Sequence, residues 1–203
     1  SEDGRKIICS RIIAACGGYA SPANGTDGRA LKMFRDMGYR TEKICPAVAP
    51  LRVNPDEIKG LKGVRVHGKV SALSGGKELY SEEGEIQFTE NSISGICVFN
   101  LAYLFSKYEG KMSVSADLMP EYSFSETVEL LNGIKSARNN QTLEEMLNGV
   151  FVKNLAVYIM KHALNRPLTD SVSTIEKADI KKTASLIKSL EFRITGCSSW
   201  QNA

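Results

Sequence analysis

The chain has 203 residues, of which 42% are hydrophobic and 24% are charged, and its formal net charge is +3. This length gives room for one large domain or two small ones with an ample core. The charge is too small to indicate a nucleic-acid or acidic membrane partner, and no apolar run is long enough to span a bilayer. We therefore expect a globular protein of the cytoplasm with no membrane partner.

The cysteines are odd in number and lack any C-x-x-C spacing: Cys9, Cys16, Cys45, Cys97 and Cys197. This usage predicts reduced, mostly buried thiols rather than a disulfide framework or a zinc site. No metal site is predicted.

Residues 12–28 are the segment of the sequence that most strongly indicates a ligand site. Its apolar run, residues 12–16, has the character of a buried parallel strand and ends in Gly17 and Gly18. Paired glycines let a backbone or a flat ligand approach closely, because they carry no Cβ atom. A helix beginning after Asp27 would aim free N–H groups at the same place. The segment is either an ordinary strand–loop–helix connection or one wall of a ligand site.

The flanks of this segment complete one α/β unit. Residues 5–9 predict a short strand. After Asp27, apolar residues recur every three or four positions and predict an amphipathic helix. Thr26 or Asp27 can cap its first turn, and Gly38 suits a left-handed residue at its end.

The middle of the chain predicts short antiparallel strands. Apolar and polar residues alternate over 64–73 and again over 112–118, and strand-like runs occupy 77–80 and 85–89. The acidic stretch 82–85 contains a glycine and is interpreted as a solvated hairpin tip. A single buried helix is expected over 96–105. These elements indicate a small barrel or sandwich.

The chain becomes helical from Glu121 onward. Three pairs have the capping-box spacing: Ser123 with Glu126, Thr142 with Glu145, and Ser173 with Glu176. The apolar patterns behind them predict a small cluster of helices, packed as its own subdomain. A last short strand is expected at residues 192–195.

Complete catalytic motifs are absent from this sequence. There is no G-x-G-x-x-G and no phosphate-binding P-loop pattern. His67 and His162 are interpreted as surface or structural histidines, since neither has ligands nearby in sequence. Four basic residues do lie close together: Lys59, Lys62, Arg65 and Lys69. They leave open an alternative function, a non-catalytic module that binds nucleic acid or a protein partner, although no aromatic residues are interleaved.

Five stretches, in order, resemble the BaiN-like, aminoacetone-oxidase-type FAD-dependent oxidoreductases. They are residues 12–18 (IIAACGG), 20–28 (ASPANGTDG), 46–51 (PAVAPL), 88–95 (FTENSISG) and 192–196 (FRITG). Cys16 stands where this family usually has threonine, and Ser92 where it usually has glycine. Each motif alone is weak, but their order along nearly the whole chain makes the resemblance specific.

The resemblance implies an α+β fold that is part of a longer flavoprotein. Residues 1–42 would be the tail of an FAD-binding α/β lobe. Residues 43–120 would form a small antiparallel β-barrel-like insert, and residues 121–190 a helical insert subdomain. Residues 191–203 would contain a strand returning to the FAD lobe. The partner of this chain would then be the remainder of its own FAD-binding domain.

The resemblance also implies a cofactor and a set of contacts in the longer protein. The cofactor would be FAD, with NAD(P)H as a possible electron donor and an unidentified small molecule as substrate. The residues expected near the flavin are Gly17, Gly18, Tyr19, Asn24, Gly25, Thr26, Asp27 and Gly28. The insert would cover the flavin, while the chain alone would be inactive and colourless. No catalytic residue can be assigned.

Overall fold

The computed structural model describes residues 4, 6–42, 44–108 and 111–202. Its strands are β1 (Leu51–Val53), β2 (Arg65–Ser74), β3 (Lys77–Phe88), β4 (Ser92–Ser94), β5 (Ser113–Asp117) and β6 (Leu190–Cys197). They form a closed barrel in the order β1-β4-β3-β2-β5-β6, with every pairing antiparallel. The expected barrel-like subdomain is confirmed.

The helices are α1 (Arg29–Asp36), α2 (Ile96–Phe99), α3 (Ala102–Lys107), α4 (Phe124–Ala137), α5 (Lys153–Leu164) and α6 (Lys177–Lys188). Short 3-10 turns lie at Pro22–Asn24, Pro55–Ile58, Val172–Thr174 and Trp200–Asn202. Both α4 and α5 pack against α6. The α+β fold class, a barrel with a helical subdomain, is therefore confirmed. No helix in the described ranges is long and apolar enough to cross a membrane.

The alternating pattern of the sequence becomes the barrel interior. Val70 and Ala72 on β2 are buried, as are Val114 and Ala116 on β5. The buried core is continuous from these strands into the helices, where Ile159 of α5 is fully buried. The barrel and the helices therefore share one core instead of forming two separate ones.

Lys188, the last residue of α6, ties the helices to the barrel. Its Nζ atom lies 2.7 Å from the Asp117 Oδ2 atom at the end of β5 and donates to the Met119 carbonyl at 2.8 Å. It also donates to the Tyr122 carbonyl. Because both side chains of the ion pair are mostly buried, the cation is satisfied by these oxygens and holds α6 in one position.

The strand predicted over residues 12–16 is wrong in this structure. These residues are irregular, and the side chains of Ile12 and Ile13 are 83% and 93% exposed. A parallel strand needs neighbours that accept its hydrogen bonds, and the described residues place no strand beside this one. The strand predicted at 5–9 is also not formed over its described residues 6–9, while Arg5 lies outside them.

The interpretation of residues 82–85 as a hairpin tip is wrong as well. They lie inside β3, paired with β2, where Gly84 faces Gly68. The glycine marks a packing contact and not a turn, because a Cβ atom on Gly84 would lie 3.3 Å from the Cβ atom of Cys97 on α2. The actual turn is at Gly75 and Gly76, between β2 and β3.

The single helix expected over 96–105 is divided into α2 and α3. At the break, the Asn100 side chain donates to both carboxylate oxygens of Glu82 on β3, at 2.8 and 2.9 Å. The helices are also not buried on every side, since Ile96 is 75% exposed and Tyr103 is 44% exposed. The prediction of a buried helix is therefore wrong for these two side chains, although the run has no polar face.

One of the three capping-box predictions is confirmed, and a second forms only in part. Ser123 and Glu126 form a complete capping box at the start of α4. Glu145 accepts hydrogen bonds from the backbone and hydroxyl of Thr142, at a turn rather than a helix. The third prediction, Ser173 with Glu176, is wrong. Glu176 is itself the N-cap of α6 and pairs with Asp179, because a carboxylate can fill the capping role of a hydroxyl.

Replacing Ser123 with alanine is expected to lower the free energy of unfolding by about 1 kcal/mol, since the amide of Glu126 loses its acceptor. The pKa of Glu126 is held below its usual value by hydrogen bonds from Ser123, and this shift should shrink in the variant. Urea unfolding measures the first effect and NMR titration the second. The control is Ser136→Ala, whose hydroxyl only bonds the Asn132 carbonyl within α4. An equal loss in both variants would contradict the capping role.

The last predicted strand exists, at residues 192–195 within β6. It pairs with β5 on one side and with β1 on the other, and thereby closes the barrel. The resemblance implies that residues 191–203 contain a strand returning to the FAD lobe. The hydrogen bonds of β6 place it in the barrel, while the predicted domain boundaries stay a prediction.

Candidate functional site

The loop that follows residue 16 folds back on itself. Gly17 has a φ of +74°, and the hydroxyl of Thr26 donates to the Gly18 carbonyl at 2.5 Å. A Cβ atom on Gly17 would lie 2.8 Å from the Thr26 Oγ1 atom, which is too close for any other residue. A Cβ atom on Gly18 would meet no atom within 4 Å. The backbone at Gly18 is therefore open to an approaching group.

Tyr19 is the aromatic residue of this loop. Its ring lies against Gly28, whose φ is +75° and whose missing Cβ atom leaves space for the ring. The ring centroid is 5.5 Å from that of Trp200. The amide of Ser21 donates to the Trp200 carbonyl at 2.9 Å. The loop thus packs against the segment that follows β6.

Asn24 and Gly25 complete the loop. Asn24 ends the 3-10 turn Pro22–Asn24, and the Gly25 amide donates to the Pro22 carbonyl at 3.0 Å. The structure therefore brings seven of the predicted residues into one compact loop around Tyr19: Gly17, Gly18, Asn24, Gly25, Thr26, Asp27 and Gly28.

The start of α1 differs from the expected anion site. The carboxylate of Asp27 accepts a hydrogen bond from the Arg29 amide at 3.0 Å and forms an ion pair with the Arg29 side chain. These hydrogen bonds lower the pKa of Asp27, so the group is ionised. The Arg29 amide is occupied by a carboxylate of this chain and is not free to stabilise negative charge on a ligand.

The two histidines have separate environments. His67 on β2 lies 3.8 Å from a carboxylate oxygen of Glu83, across the strand pair. His162 on α5 stacks on Tyr158, with ring centroids 3.9 Å apart, and its Nδ1 atom is 2.8 Å from the Tyr158 carbonyl. In the described ranges, no group of three or more histidine, cysteine or acidic residues could hold a metal ion.

The cysteines are less uniform than expected. All are free thiols in the structure: Cys97 is buried, Cys45 and Cys197 are half-buried, and Cys9 and Cys16 are exposed. The expectation that most are buried is therefore wrong. Burial raises the pKa of Cys97, and it raises the pKa of Cys197 to about 11. The thiols of Cys97 and Cys197 are therefore protonated and unreactive at neutral pH.

Two of the four clustered basic residues form ion pairs with carboxylates, and a third faces a glutamate in the strand register. Lys62 is 3.1 Å from Glu90, and Arg65 is 3.5 Å from Glu85. Lys69 on β2 is directly opposite Glu83 on β3. This pairing reduces the charge available for nucleic-acid phosphates, so the alternative function gains no support from these residues.

Sequence reasoning missed a cleft between the barrel and α5. It has a volume of about 530 Å³ and is lined by residues of 56–60 and of α5, with Glu144 at its rim. Tyr158 forms part of its wall and donates a hydrogen bond to the Glu57 carbonyl at 2.5 Å. Burial raises the pKa of Tyr158 to about 12. Nothing in the sequence indicated this cleft, because its two sides are about a hundred residues apart.

Replacing Gly28 with alanine is expected to displace the Tyr19 ring and shift the fluorescence emission of Trp200, the single tryptophan of the chain. The free energy of unfolding of the barrel, followed by circular dichroism, should hardly change because the loop lies outside the core. The control is Gly18→Ala, whose new methyl group meets no neighbour. An unchanged emission spectrum for Gly28→Ala would contradict the described packing.

The chain is therefore an α+β domain, in which a closed barrel with attached helices follows a glycine-rich loop. Residues 45–203 match the family described as "HI0933-like protein barrel and H2TH domain", and the chain belongs to this family. The chain is also similar to the 3-dehydro-bile acid delta(4,6)-reductase of Clostridium scindens, with 37% identity over 156 residues. This match covers 75% of the chain but only 38% of the reductase, so the chain spans well under half of that relative.

These matches confirm the resemblance to the BaiN-like FAD-dependent oxidoreductases, and they identify the chain as a flavoprotein-related domain. The loop of residues 17–28 precedes the residues matched to the family.

Proposed function

We propose that this chain is the cap of an FAD-dependent oxidoreductase and that its residues 17–28 contact the flavin in the longer protein. The observation that carries the proposal is the exposure of the apolar residues at 12–16. A run of β-branched and small apolar side chains left in water is unfavourable, at about 25 cal/mol per Å². Burial in the sheet of an FAD-binding lobe would remove this cost and place Gly17 and Gly18 at the strand end.

The loop fits a flat cofactor at one position in particular. Gly18 has open space where a side chain would point, and the Thr26 hydroxyl keeps its carbonyl in place. A ring system could therefore lie against the Gly18 backbone. When bound, FAD would supply the hydride chemistry.

The path of the chain supports an insert arrangement. The loop and the segment after β6 lie together through Ser21, Tyr19 and Trp200. The chain therefore enters and leaves the barrel at neighbouring points, as an inserted domain must. In this position the barrel and helices would cover the flavin, exclude water and form one side of the site where a small-molecule substrate meets the flavin.

The test uses the longer protein, purified without added cofactor. It should be yellow, with flavin absorbance and FAD released on denaturation. Gly18→Val should abolish FAD binding because the side chain occupies the ring position, whereas Gly133→Ala on the exposed side of α4 should leave it unchanged. Since a Cβ atom on Gly18 would meet no atom of the chain within 4 Å, the loss would report on the cofactor and not on the fold.

Two results would contradict the proposal: a colourless protein that cannot be reconstituted with FAD, or a Gly18→Val protein that keeps its full flavin content. Anaerobic mixing of the yellow protein with NADH and with NADPH then tests the electron donor. Bleaching of the flavin absorbance by either would support a pyridine nucleotide in that role.

A further inference from the structure

We infer that the cleft between the barrel and α5 is a second binding site, which takes a small phosphate ester that carries hydroxyl groups. None of residues 17–28 lines this cleft, whose walls are residues 56–60 and the exposed side of α5. Its volume of about 530 Å³ is within the range of small-molecule sites. The inference does not depend on the proposed flavin function.

The charges that line the cleft favour an anion. Glu144 is occupied by Lys153, with 3.4 Å between Nζ and Oε1. Lys59 and Lys161 line the cleft from opposite sides, and in the described part of the chain neither makes an ion pair. Their two positive charges outnumber the single remaining carboxylate, that of Asp56. A phosphate placed between the two lysines would receive charge-assisted hydrogen bonds from both.

His162 adds a directed polar group. Its Nδ1 atom faces the Tyr158 carbonyl at 2.8 Å, so Nδ1 carries the proton and donates. The Nε2 atom is then the free nitrogen of the ring, and stacking on Tyr158 fixes the plane of the imidazole. His162 lines the cleft, so its imidazole can exchange a hydrogen bond with a hydroxyl group of a ligand.

The remaining wall indicates an organic part as well as a phosphate. Val157 and the Tyr158 ring give the cleft an apolar surface, which an inorganic ion would leave unused. The Asp56 carboxylate and the Asn154 amide make no side-chain hydrogen bond in the described residues, and both line the cleft. They can accept and donate to hydroxyl groups, so a sugar phosphate or a nucleoside monophosphate satisfies the whole lining.

The experiment is an NMR titration of the ¹⁵N-labelled chain with ribose 5-phosphate, adenosine 5′-monophosphate, inorganic phosphate and adenosine. Saturable shifts of the Asn154, Lys161 and His162 signals are expected with at least one of the two phosphate esters, below about 10 mM. Inorganic phosphate should bind more weakly than that ester, and adenosine should not bind here. The absence of saturable shifts with both esters would overturn the proposal, as would equal binding of adenosine.

The matched variants separate the site from general surface charge. The double variant Lys59→Ala, Lys161→Ala should raise the dissociation constant of the bound ester at least about tenfold. The control, Lys177→Ala with Lys181→Ala, removes the same charge from exposed positions of α6 and should leave the constant within about twofold. Equal weakening in both double variants would overturn the proposal. Thermal unfolding of each variant verifies that the barrel and helices remain folded.

Discussion

Replacement of Gly95 by alanine is expected to lower the free energy of unfolding by about 3 kcal/mol or more. Gly95 joins β4 to α2 with φ and ψ of 110° and 157°, a conformation that is essentially restricted to glycine. An added Cβ atom would also overlap the carbonyl oxygen of Glu85 on β3. Backbone strain and the overlap act together, and relief would require β3 and β4 to separate. Urea unfolding of the variant measures the loss.

The matched control is Gly133→Ala. Gly133 lies on the exposed side of α4, and a Cβ atom there would meet no atom within 4 Å. Alanine should leave stability unchanged or raise it by up to about 1 kcal/mol, since it favours the helix. A Gly95→Ala protein as stable as the unsubstituted chain would contradict the described β4–α2 connection.

This prediction also bears on the family resemblance. Gly95 is the last residue of the motif at 88–95, one of the five stretches that carried the resemblance. Gly95 connects β4 to α2, and its carbonyl accepts hydrogen bonds from the amides of Val98 and Phe99 at the start of that helix. The glycine of this motif is therefore explained by the fold and needs no flavin contact.

Replacement of Phe192 by alanine is expected to cost about 3 to 5 kcal/mol of unfolding free energy. Phe192 on β6 and Phe88 on β3 are buried, with ring centroids 5.7 Å apart. The strands β3 and β6 are separated by two strands in either direction around the barrel, so these rings meet across its interior. Loss of one ring leaves a cavity, and the strands of a closed barrel cannot easily move inward to fill it.

Two further variants check the cause. Phe192→Leu should cost clearly less, because most of the volume is retained. Phe124→Ala removes the same side chain from the first residue of α4, where the ring is 44% exposed, and should cost under about 1 kcal/mol. Equal losses for Phe192→Ala and Phe124→Ala in urea unfolding would contradict the central role of the Phe88–Phe192 contact.

Much of the architecture was predictable because it depends on local patterns. Alternation at 64–73 and 112–118 was sufficient for β2 and β5, and the spacing of Ser123 and Glu126 located the start of α4. The closure of the barrel was not predictable. It depends on β6 pairing with β1 across more than a hundred residues, and no local pattern records such a pairing.

The failed predictions share one physical origin. A glycine within an acidic stretch is typical of a turn, yet Gly84 lies inside β3 and leaves space for Cys97. The apolar run at residues 12–16 predicts a strand, yet a strand forms only beside a partner strand. In both cases the environment of the residue, and not its type, determined the outcome.

The candidate sites divide in the same way. The sequence by itself determined the residues of the loop at 17–28, including its two adjacent glycines, and the family to which the chain belongs. Only the tertiary structure placed Trp200 against Tyr19, occupied the Arg29 amide with Asp27, and paired two residues of the basic cluster with carboxylates of β3 and its end. It alone also formed the cleft beside α5. The physical reason is that a binding site depends on which charges and cavities face one another, and the folded chain sets these through contacts between residues distant in sequence.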